Sequence, residues 1–356
     1  MTTYDTEKIL ERLYHSPSPA AKDLIALLSV EDENDAQKIF SFADRVRREF
    51  CKDGILLRGI IEFSNVCTNT CYYCGLNRNN TALERYRMSG DEILNAARHI
   101  FSCGIQTVVL QSGEDASLDA GWLAGLIRKI KSAFGMAVTL SVGEQSRDDY
   151  RLWKEAGADR YLLKIETTDR ALYAALHPGM SFERRLRALE DLRDLGYQVG
   201  SGLIVGLKGQ DTRSLAEDII FLKKNDFDMI GIGPFIAHRN TPLAGADNCD
   251  AFLALKVLAL TRIVTRNAHL PATTALGSLG KDYRLDGLQA GANVLMPNFT
   301  PAPYRRLYEI YPGKRCVDEP GGACVSCMQL LAQSIKRSID YSRGDSLKKE
   351  EGQIHV

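Results

Sequence analysis

Three closely spaced cysteines, Cys67, Cys71 and Cys74, are the residues of this 356-residue chain whose types and spacing point most directly to chemistry. They follow an apolar, strand-like run and lie on a loop that ends at Gly75. Three such thiolates can hold three irons of a cubane iron-sulfur cluster, which ordinarily takes four cysteine ligands. The alternative is a structural zinc site, but zinc takes four tetrahedral ligands, and the neighbouring sequence has no fourth cysteine or histidine. The spacing therefore predicts a cluster with one open iron.

An open iron can chelate the amino and carboxylate groups of S-adenosylmethionine (SAM) and pass an electron to its sulfonium, which releases a 5'-deoxyadenosyl radical. The pattern Cys-x3-Cys-x-aromatic-Cys, with Tyr73 as its aromatic residue, resembles the radical SAM superfamily. The resemblance implies that a 4Fe-4S cluster and SAM are the cofactors.

Composition limits the kind of protein. Lys+Arg and Asp+Glu both number 45, so a net charge of zero gives no broad field to attract nucleic acid or anionic membrane. The first twenty residues include five charged side chains, unlike a secretory signal, and no apolar run approaches the roughly 20 residues of a spanning helix. Nine cysteines without a signal favour metal ligation over a disulfide framework. We expect a cytoplasmic protein that binds neither nucleic acid nor membrane.

Helical periodicity at about 5–14, 20–28 and 32–50 predicts an N-terminal helical cap over residues 1–54. Residues 55–300 alternate short β-rich runs with helical stretches, which is typical of parallel βαβ units. Eight such runs match an α/β fold of the complete (β/α)8 TIM type. The runs cover 56–63, 107–111, 137–141, 161–165, 198–204, 229–232, 272–275 and 293–296.

Residues 301–356 are predicted to form a C-terminal extension, whose polar tail after Ile335 we expect to be a solvated end. The extension contains a second cysteine triad, Cys316, Cys324 and Cys327, with ligand-like spacing. An iron-sulfur cluster is favoured over zinc because the chain already handles clusters, although with three protein thiols either site needs an outside ligand. We predict a second, labile cluster here.

Functional residues in such barrels lie where strands end and the following loops begin. In this sequence, polar residues and glycines follow the predicted strands. By resemblance, Gly113-Glu114 matches the superfamily's Gly-Glu motif, whose backbone meets the methionyl amino group of SAM, and Glu166 matches its ribose-binding carboxylate. The predicted cofactor-binding residues are Tyr73, Gln111, Ser112, Gly113, Glu114, Ser141, Glu166, Arg185, Met229 and Ile232.

Two arginines lie inside predicted strands. A guanidinium of Arg58 or Arg160 that points into a barrel either pairs with an internal acid or binds an anionic ligand. Thr273 and Thr274 either line the cavity or are ordinary β-branched strand residues.

With these residues collected, the chain resembles the radical SAM maturases of FeFe-hydrogenase, in the biotin synthase-like group. The segments that carry the resemblance are FSNVCTNTCYYCGL, ERYRMS, LQSGED, EAGADRYLLKIET, NDFDMIGIGPFIAH, PATTA and NVLMPNFTPAPYRRLYEIYPGK. One departure is Ile165, where family members often have histidine, so no imidazole can act there.

The resemblance implies a barrel cavity for a small organometallic iron complex with carbonyl, cyanide and cysteine ligands, made by another maturase. It also implies a radical SAM tyrosine lyase and a GTPase scaffold as partners, with a ferredoxin or flavodoxin as electron donor. The residues that would line the cavity are Arg58, Thr139, Arg160, Thr273, Thr274, Met296, Tyr308 and Tyr311.

Three other functions are weighed against this one. Biotin synthase would need ligands inside the barrel for a second cluster, whereas the additional cysteine triad follows the last predicted strand. Methylornithine synthase would not be expected to have that triad. A non-catalytic iron-sulfur carrier would not need SAM-type residues at the strand ends.

Overall fold

A computed structural model describes residues 5–317, 319 and 321–348 of the chain. Residues 1–4 of the predicted cap and 349–356 of the predicted extension lie outside the described residues. The helices are α1 Thr6–His15, α2 Ala21–Leu28, α3 Glu33–Cys51, α4 Gly90–Ser102, α5 Ala120–Phe134, α6 Arg147–Glu155, α7 Arg170–Leu176, α8 Phe182–Asp194, α9 Thr212–Lys224, α10 Ala251–Thr265, α11 Arg284–Gln289, α12 Ala302–Leu307 and α13 Gly321–Ser334, with a 3₁₀ turn at Leu276–Ser278. The strands are β1 Ile55–Leu57, β2 Gly59–Ser64, β3 Thr107–Ser112, β4 Ala137–Ser141, β5 Arg160–Leu162, β6 Gln198–Val205, β7 Met229–Pro234, β8 Val294–Leu295 and β9 Ile339–Asp340.

The three N-terminal helices form where their periodicity predicts them. Asp5 and Asp32 cap α1 and α3, because each carboxylate accepts a hydrogen bond from the backbone N–H three residues on, at 3.2 and 3.0 Å. Helix α10 packs against this cap, and Lys256 Nζ donates to the carbonyl oxygens of Leu28 (2.5 Å) and Val30 (2.7 Å). The ammonium thereby satisfies a carbonyl that the end of α2 leaves unpaired.

All the strands pair in parallel. Strands β2 to β7 form one sheet in chain order, and β1 lies between β8 and β9 in a second, three-stranded sheet. Since only Arg58 separates β1 from β2, the first predicted strand runs through both sheets. The predicted α/β architecture with parallel strands is confirmed, while the domain limits at residues 54 and 300 stay predictions.

The predicted seventh strand, at residues 272–275, is wrong. Single parallel bridges join Met229 to His269 and Pro271 to Val294, so the chain pairs just before the predicted run. Pro271 has no N–H to donate to a longer ladder. The chain then turns, and the N–H of Leu276 donates to the carbonyl of Thr273 at 3.1 Å.

The polar tail is not simply a solvated end. Strand β9 pairs with β1, and the residues after it pass along the ends where β3, β5 and β6 begin. Arg160 donates to Asp345 Oδ1 at 2.6 Å, and a ring nitrogen of His269 lies 2.9 Å from the Asp345 carbonyl oxygen. Lys348 Nζ donates to the carbonyl of Phe227 at 2.7 Å. These hydrogen bonds between the tail and the strands therefore hold the tail in place up to residue 348.

We expect Asp345→Asn to change the acid sensitivity of folding. Burial opposes ionisation of Asp345, but hydrogen bonds from Gln198 and the charges of Arg160 and Arg343 outweigh it and lower its pKa from 3.8 to about 2. The carboxylate therefore contributes stability above pH 3.8, which is lost as the pH falls toward about 2. Urea unfolding across this range should show the difference between wild type and Asp345→Asn shrinking with falling pH.

Asp340→Asn is the matched control, because that carboxylate accepts a hydrogen bond only from the nearby backbone N–H of Ser342 among the described contacts. A difference between wild type and Asp345→Asn that stays constant with pH would contradict the assignment.

Candidate active site

The loop of residues 65–80, called the cysteine loop below, follows β2 and is held by three other parts of the chain. The N–H of Thr68 donates to the carbonyl of Glu114 (2.8 Å), that of Tyr72 to a carbonyl at the end of α7 (3.0 Å), and that of Gly75 to the carbonyl of Ile310 (2.8 Å). Tertiary hydrogen bonds therefore position this loop, which has no regular structure of its own.

The three loop thiols are free, half-buried and line one cavity of about 380 Å³. Burial and the charge of Cys67 raise the pKa of Cys71 to about 12, and burial and its two neighbours raise the pKa of Cys74. Iron binding would displace these protons. Among the described residues no three Cys, His, Asp or Glu side chains converge on a single metal ion. A cubane cluster does not require such convergence, since each thiolate binds a different iron, so this donor set fits the cluster.

Gly113, at the end of β3, allows the cysteine loop to approach the sheet. A Cβ at this position would lie 2.3 Å from the carbonyl oxygen of Val66, so only glycine fits. Beside it, Gln111 Nε2 donates to the Tyr308 hydroxyl at 3.1 Å and the Ser112 hydroxyl to the Gly113 carbonyl at 2.7 Å. The cavity is lined here by Gln111, Ser112, Gly113 and Glu114, as predicted for SAM contacts.

A buried ion pair orients Arg185 toward the same cavity. Arg185 Nε lies 2.5 Å from Glu144 Oε1, and Arg185 Nη1 donates to the carbonyl of Lys164 at 2.5 Å. Glu144 Oε2 also pairs with the exposed Arg184 at 3.2 Å. Ser141 lines the cavity nearby. Sequence analysis predicted Arg185 as a site residue but not its pairing with Glu144, because Arg185 lies in α8 and Glu144 follows β4, 41 positions away in the chain.

Glu166 has a left-handed backbone conformation (φ 65°), which is uncommon for a residue with a Cβ and is found most often at functional sites. Its Oε2 lies 2.8 Å from Lys164 Nζ, but the angles do not make a hydrogen bond. A Cβ on Gly202 would lie 2.9 Å from Lys164 Cε, so this glycine makes room for the lysine. Lys164 is a cavity residue that sequence analysis missed. Ile165 is fully buried in the hydrophobic core.

A further part of the cavity wall consists of hydroxyl, thioether and aromatic side chains. The predicted residues that line this wall are Met229, Thr273, Thr274, Met296, Tyr308 and Tyr311, while Tyr73 lies on the thiol side. Ile232 does not line the cavity, and its carbonyl accepts a hydrogen bond from the Thr273 hydroxyl at 3.3 Å. Its predicted contact with SAM stays a prediction that would have to involve the backbone.

Arg58, Thr139 and Arg160 lie around a second, much smaller cavity of about 10 Å³, which shares Met229 with the first. Arg160 pairs with Asp345, so of the two predicted alternatives for this guanidinium, the one with an acid of the same chain is present. Arg58 instead donates to Met229 Sδ (2.7 Å) and the carbonyl of Gly344 (3.1 Å). Sequence analysis predicted that these three residues line the main cavity. In the structure they line the smaller, adjacent cavity instead.

A second buried ion pair, also missed by sequence analysis, joins Glu62 of β2 to Lys314. Glu62 Oε2 accepts a hydrogen bond from Asn298 at 2.8 Å, and Lys314 Nζ lies 5.0 Å from the centre of the Tyr308 ring. Glu62 and Lys314 both line the main cavity. This pair anchors the segment after α12, which carries Tyr308 and Tyr311, to β2.

The terminal triad lies apart from the main cavity. The Cys316 and Cys324 thiols are neighbours, their interaction lowers the pKa of Cys324 to about 7, and Cys316 is near Arg284. Cys324 is buried, and Cys327 is exposed one turn further along α13. The structure therefore brings two of the three thiols into contact.

A parallel α/β fold with three thiols at the end of its first strand, and with the Gly-Glu segment, an arginine and a glutamate around one cavity, defines a radical SAM enzyme. The family model described as the Radical SAM superfamily matches residues 61–222.

Comparison with individual relatives shows which family within this superfamily the chain belongs to. The chain is 48% identical over 310 residues to the "[FeFe] hydrogenase maturase subunit HydE" of Thermotoga maritima, covering 87% of this chain and 89% of the relative. The 3-methylornithine synthase of Methanosarcina acetivorans is 29% identical over 297 residues, or 83% of this chain and 84% of that one. The crystal structure of methylornithine synthase (PylB) superposes with a TM-score of 0.83 at 25% identity, covering 97% and 99% of the two chains. The chain belongs to the HydE family of [FeFe] hydrogenase maturases. Membership implies a 4Fe-4S cluster and SAM.

Proposed function

We propose that this chain holds a 4Fe-4S cluster on Cys67, Cys71 and Cys74 and acts with SAM on a cysteine-ligated Fe(CO)2(CN) species during maturation of the FeFe-hydrogenase active site. The observation that carries the proposal is one cavity lined both by the three thiols and by polar and aromatic side chains from other parts of the chain. Its volume of about 380 Å³ suits a cofactor and a small substrate together.

When bound, the cluster and SAM supply a one-electron reduction of the sulfonium that generates a 5'-deoxyadenosyl radical. The chain's own residues orient SAM for this. In this proposal the guanidinium of Arg185, held by Glu144, donates to the methionyl carboxylate, and Glu166 accepts from the ribose hydroxyls; both residues line the cavity. The half-buried loop and the segment after α12 limit the access of water to the radical.

The substrate would lie toward the wall of Met229, Thr273 and Met296, with anionic ligands directed at the smaller cavity. In that cavity the buried Arg58 Nε and Thr139 Oγ1 have no hydrogen-bond partner. Unpaired buried donors cost free energy unless a ligand or water meets them. A small polar ligand atom or a water that reached this cavity of about 10 Å³ would satisfy both groups.

A complete (β/α)8 barrel would enclose this substrate, and we propose that the eight parallel segments close in this way. Three contacts support closure: the bridge of Met229 to His269, the bridge of Pro271 to Val294, and the pairing of β8 with β1. A closed barrel explains how the two ends of the sheet can contribute to one cavity. The other proposed partners are a radical SAM tyrosine lyase, a GTPase scaffold and a ferredoxin or flavodoxin as electron donor.

We expect the substrate's cysteine sulfur, rather than a carbon-bound hydrogen, to accept the adenosyl radical. This expectation rests on the family, and a cavity that holds an anionic iron complex next to the SAM residues is consistent with it. Mass spectrometry of anaerobic reactions with the iron complex should detect an adenosylated sulfur species. If all adenosyl groups end as 5'-deoxyadenosine with deuterium from a carbon-labelled substrate, the reaction is hydrogen abstraction. Reactions without the iron complex are the control.

We also propose that Cys316, Cys324 and Cys327 hold a second, labile iron-sulfur cluster, which the contact between the first two thiols supports. Because this triad lies outside the main cavity, Cys324→Ser combined with Cys327→Ser should lower the iron content but keep SAM cleavage within about twofold of wild type. Iron analysis and 5'-deoxyadenosine assays test this. Complete inactivity of the folded double variant with its first cluster loaded would contradict it.

A further inference from the structure

Arg85 lies behind the cysteine loop and joins its two ends. Its Nη1 donates to the carbonyls of Asn65 (2.7 Å) and Leu76 (2.8 Å), and its Nη2 donates to the carbonyl of Asn77 (2.7 Å), with a longer contact to that of Asn80 (3.4 Å). Asn65 precedes the first cluster cysteine by two positions, and Leu76 follows the third by two. A single planar guanidinium therefore closes the stretch of backbone that carries all three thiols.

The charge of Arg85 has no carboxylate partner among the described residues, since its hydrogen bonds there are all to backbone carbonyls. Burial lowers the pKa of Arg85, and the charges that oppose this shift are those of the Cys67 and Cys74 thiolates. A guanidinium keeps its proton at any working pH. Asn65 and Leu76 each lie two positions from one of these cysteines, so with a cluster bound the thiolates of Cys67 and Cys74 would be the negative charges near this cation.

We propose that Arg85 is a positioning residue for the first cluster, whose carbonyl contacts retain the cluster and whose fixed charge favours its reduced state. The inference rests on the proposed cluster site. One-electron reduction adds negative charge next to the thiolates, and a fixed cation in a partly buried environment stabilises the added charge. Removing the positive charge should make the cluster harder to reduce. Removing the fork, the paired guanidinium hydrogen bonds to the loop carbonyls, should let the cysteine loop release the cluster.

Two substitutions separate these contributions. Arg85→Lys keeps a positive charge but cannot span the carbonyls with a rigid fork, whereas Arg85→Gln removes both. Arg78→Gln is the matched control, because Arg78 is an exposed arginine in the same loop. The readouts are a redox titration of the reconstituted proteins followed by electron paramagnetic resonance, and the rate at which a chelator removes iron.

For Arg85→Gln we expect a threefold to tenfold lower ratio of reduced to oxidised cluster at a fixed potential, a shift of at most about 59 mV. Iron loss should be at least threefold faster. Arg85→Lys should titrate like wild type but lose iron faster, and Arg78→Gln should match wild type in both measurements.

Wild-type potential and iron retention in Arg85→Gln would overturn the inference. An equal drop in potential in Arg85→Lys and Arg85→Gln would overturn the role of the charge. If Arg85→Gln does not fold, a wild-type rate of iron loss in Arg85→Lys overturns the role of the fork. Failure of the wild-type protein to load any cluster would instead refute the proposed function, so the two failures are distinguishable.

Discussion

Replacing Cys71 with serine is expected to abolish SAM cleavage, with a loss of at least about 100-fold, because the cluster would lose one of three protein ligands. A serine hydroxyl is a poor substitute for a thiolate at iron. Cys71 lies in the middle of the cysteine loop, where its sulfur is 3.9 Å from Met180 Sδ and lines the same cavity as Cys67 and Cys74. The variant should bind substoichiometric iron after anaerobic reconstitution.

Iron and sulfide analysis, electron paramagnetic resonance and formation of 5'-deoxyadenosine measure this outcome. Cys103→Ser is the control, because Cys103 is also a free, half-buried cysteine but lies at the end of α4, outside the cysteine loop. That variant should keep wild-type iron content and activity. Full SAM cleavage by Cys71→Ser would disprove the assignment of the cluster ligands.

The second large effect is expected for Arg185→Gln. Its guanidinium and Glu144 are 8% and 4% exposed, and removing one member of a buried pair costs about 3 kcal/mol or more. We expect the free energy of unfolding to fall by about 3 kcal/mol, at the low end because Arg184 still pairs with Glu144. The loss of the proposed charged hydrogen bond from Arg185 to SAM, worth about 1.5–3 kcal/mol, should weaken SAM binding roughly tenfold to 100-fold.

Arg184→Gln is the matched control for this prediction. Arg184 contacts the same carboxylate at 3.2 Å but is 65% exposed, so its ion pair should contribute less than about 1 kcal/mol. Urea unfolding and SAM binding to the reconstituted protein measure both variants. If Arg185→Gln and Arg184→Gln have the same stability and SAM affinity, the structure does not distinguish their roles as we propose.

The tertiary contacts also explain why the candidate site extends beyond the sequence motifs. Glu62 and Lys314 are 252 positions apart in the chain, yet they form a buried pair beside the cavity. Neither residue belongs to a pattern with a local chemical meaning. Lys164 likewise lines the cavity next to two glycines of neighbouring strands, since a Cβ on Gly202 would lie 2.1 Å from the Gly231 carbonyl oxygen and 2.9 Å from Lys164 Cε.

What the sequence alone determined was local. The spacing of Cys67, Cys71 and Cys74 identified the radical SAM chemistry, because cluster ligation depends on a few residues close together in the chain. Apolar periodicity located the three cap helices and most of the parallel strands, because one face of each helix and both faces of each strand must be buried. Where a turn replaced the strand predicted at 272–275, local β-propensity was outweighed by hydrogen bonding within the turn.

Only the tertiary structure decided which distant groups meet. It separated Arg58 and Arg160 from the main cavity, brought Asp345 from the tail to Arg160, and placed Arg85 behind the cysteine loop. Each of these contacts depends on the register of parallel strands and on the path of connecting segments, neither of which is encoded in the residues at the two ends of the contact. A buried charge must find its partner in three dimensions, so its position in the sequence does not identify that partner.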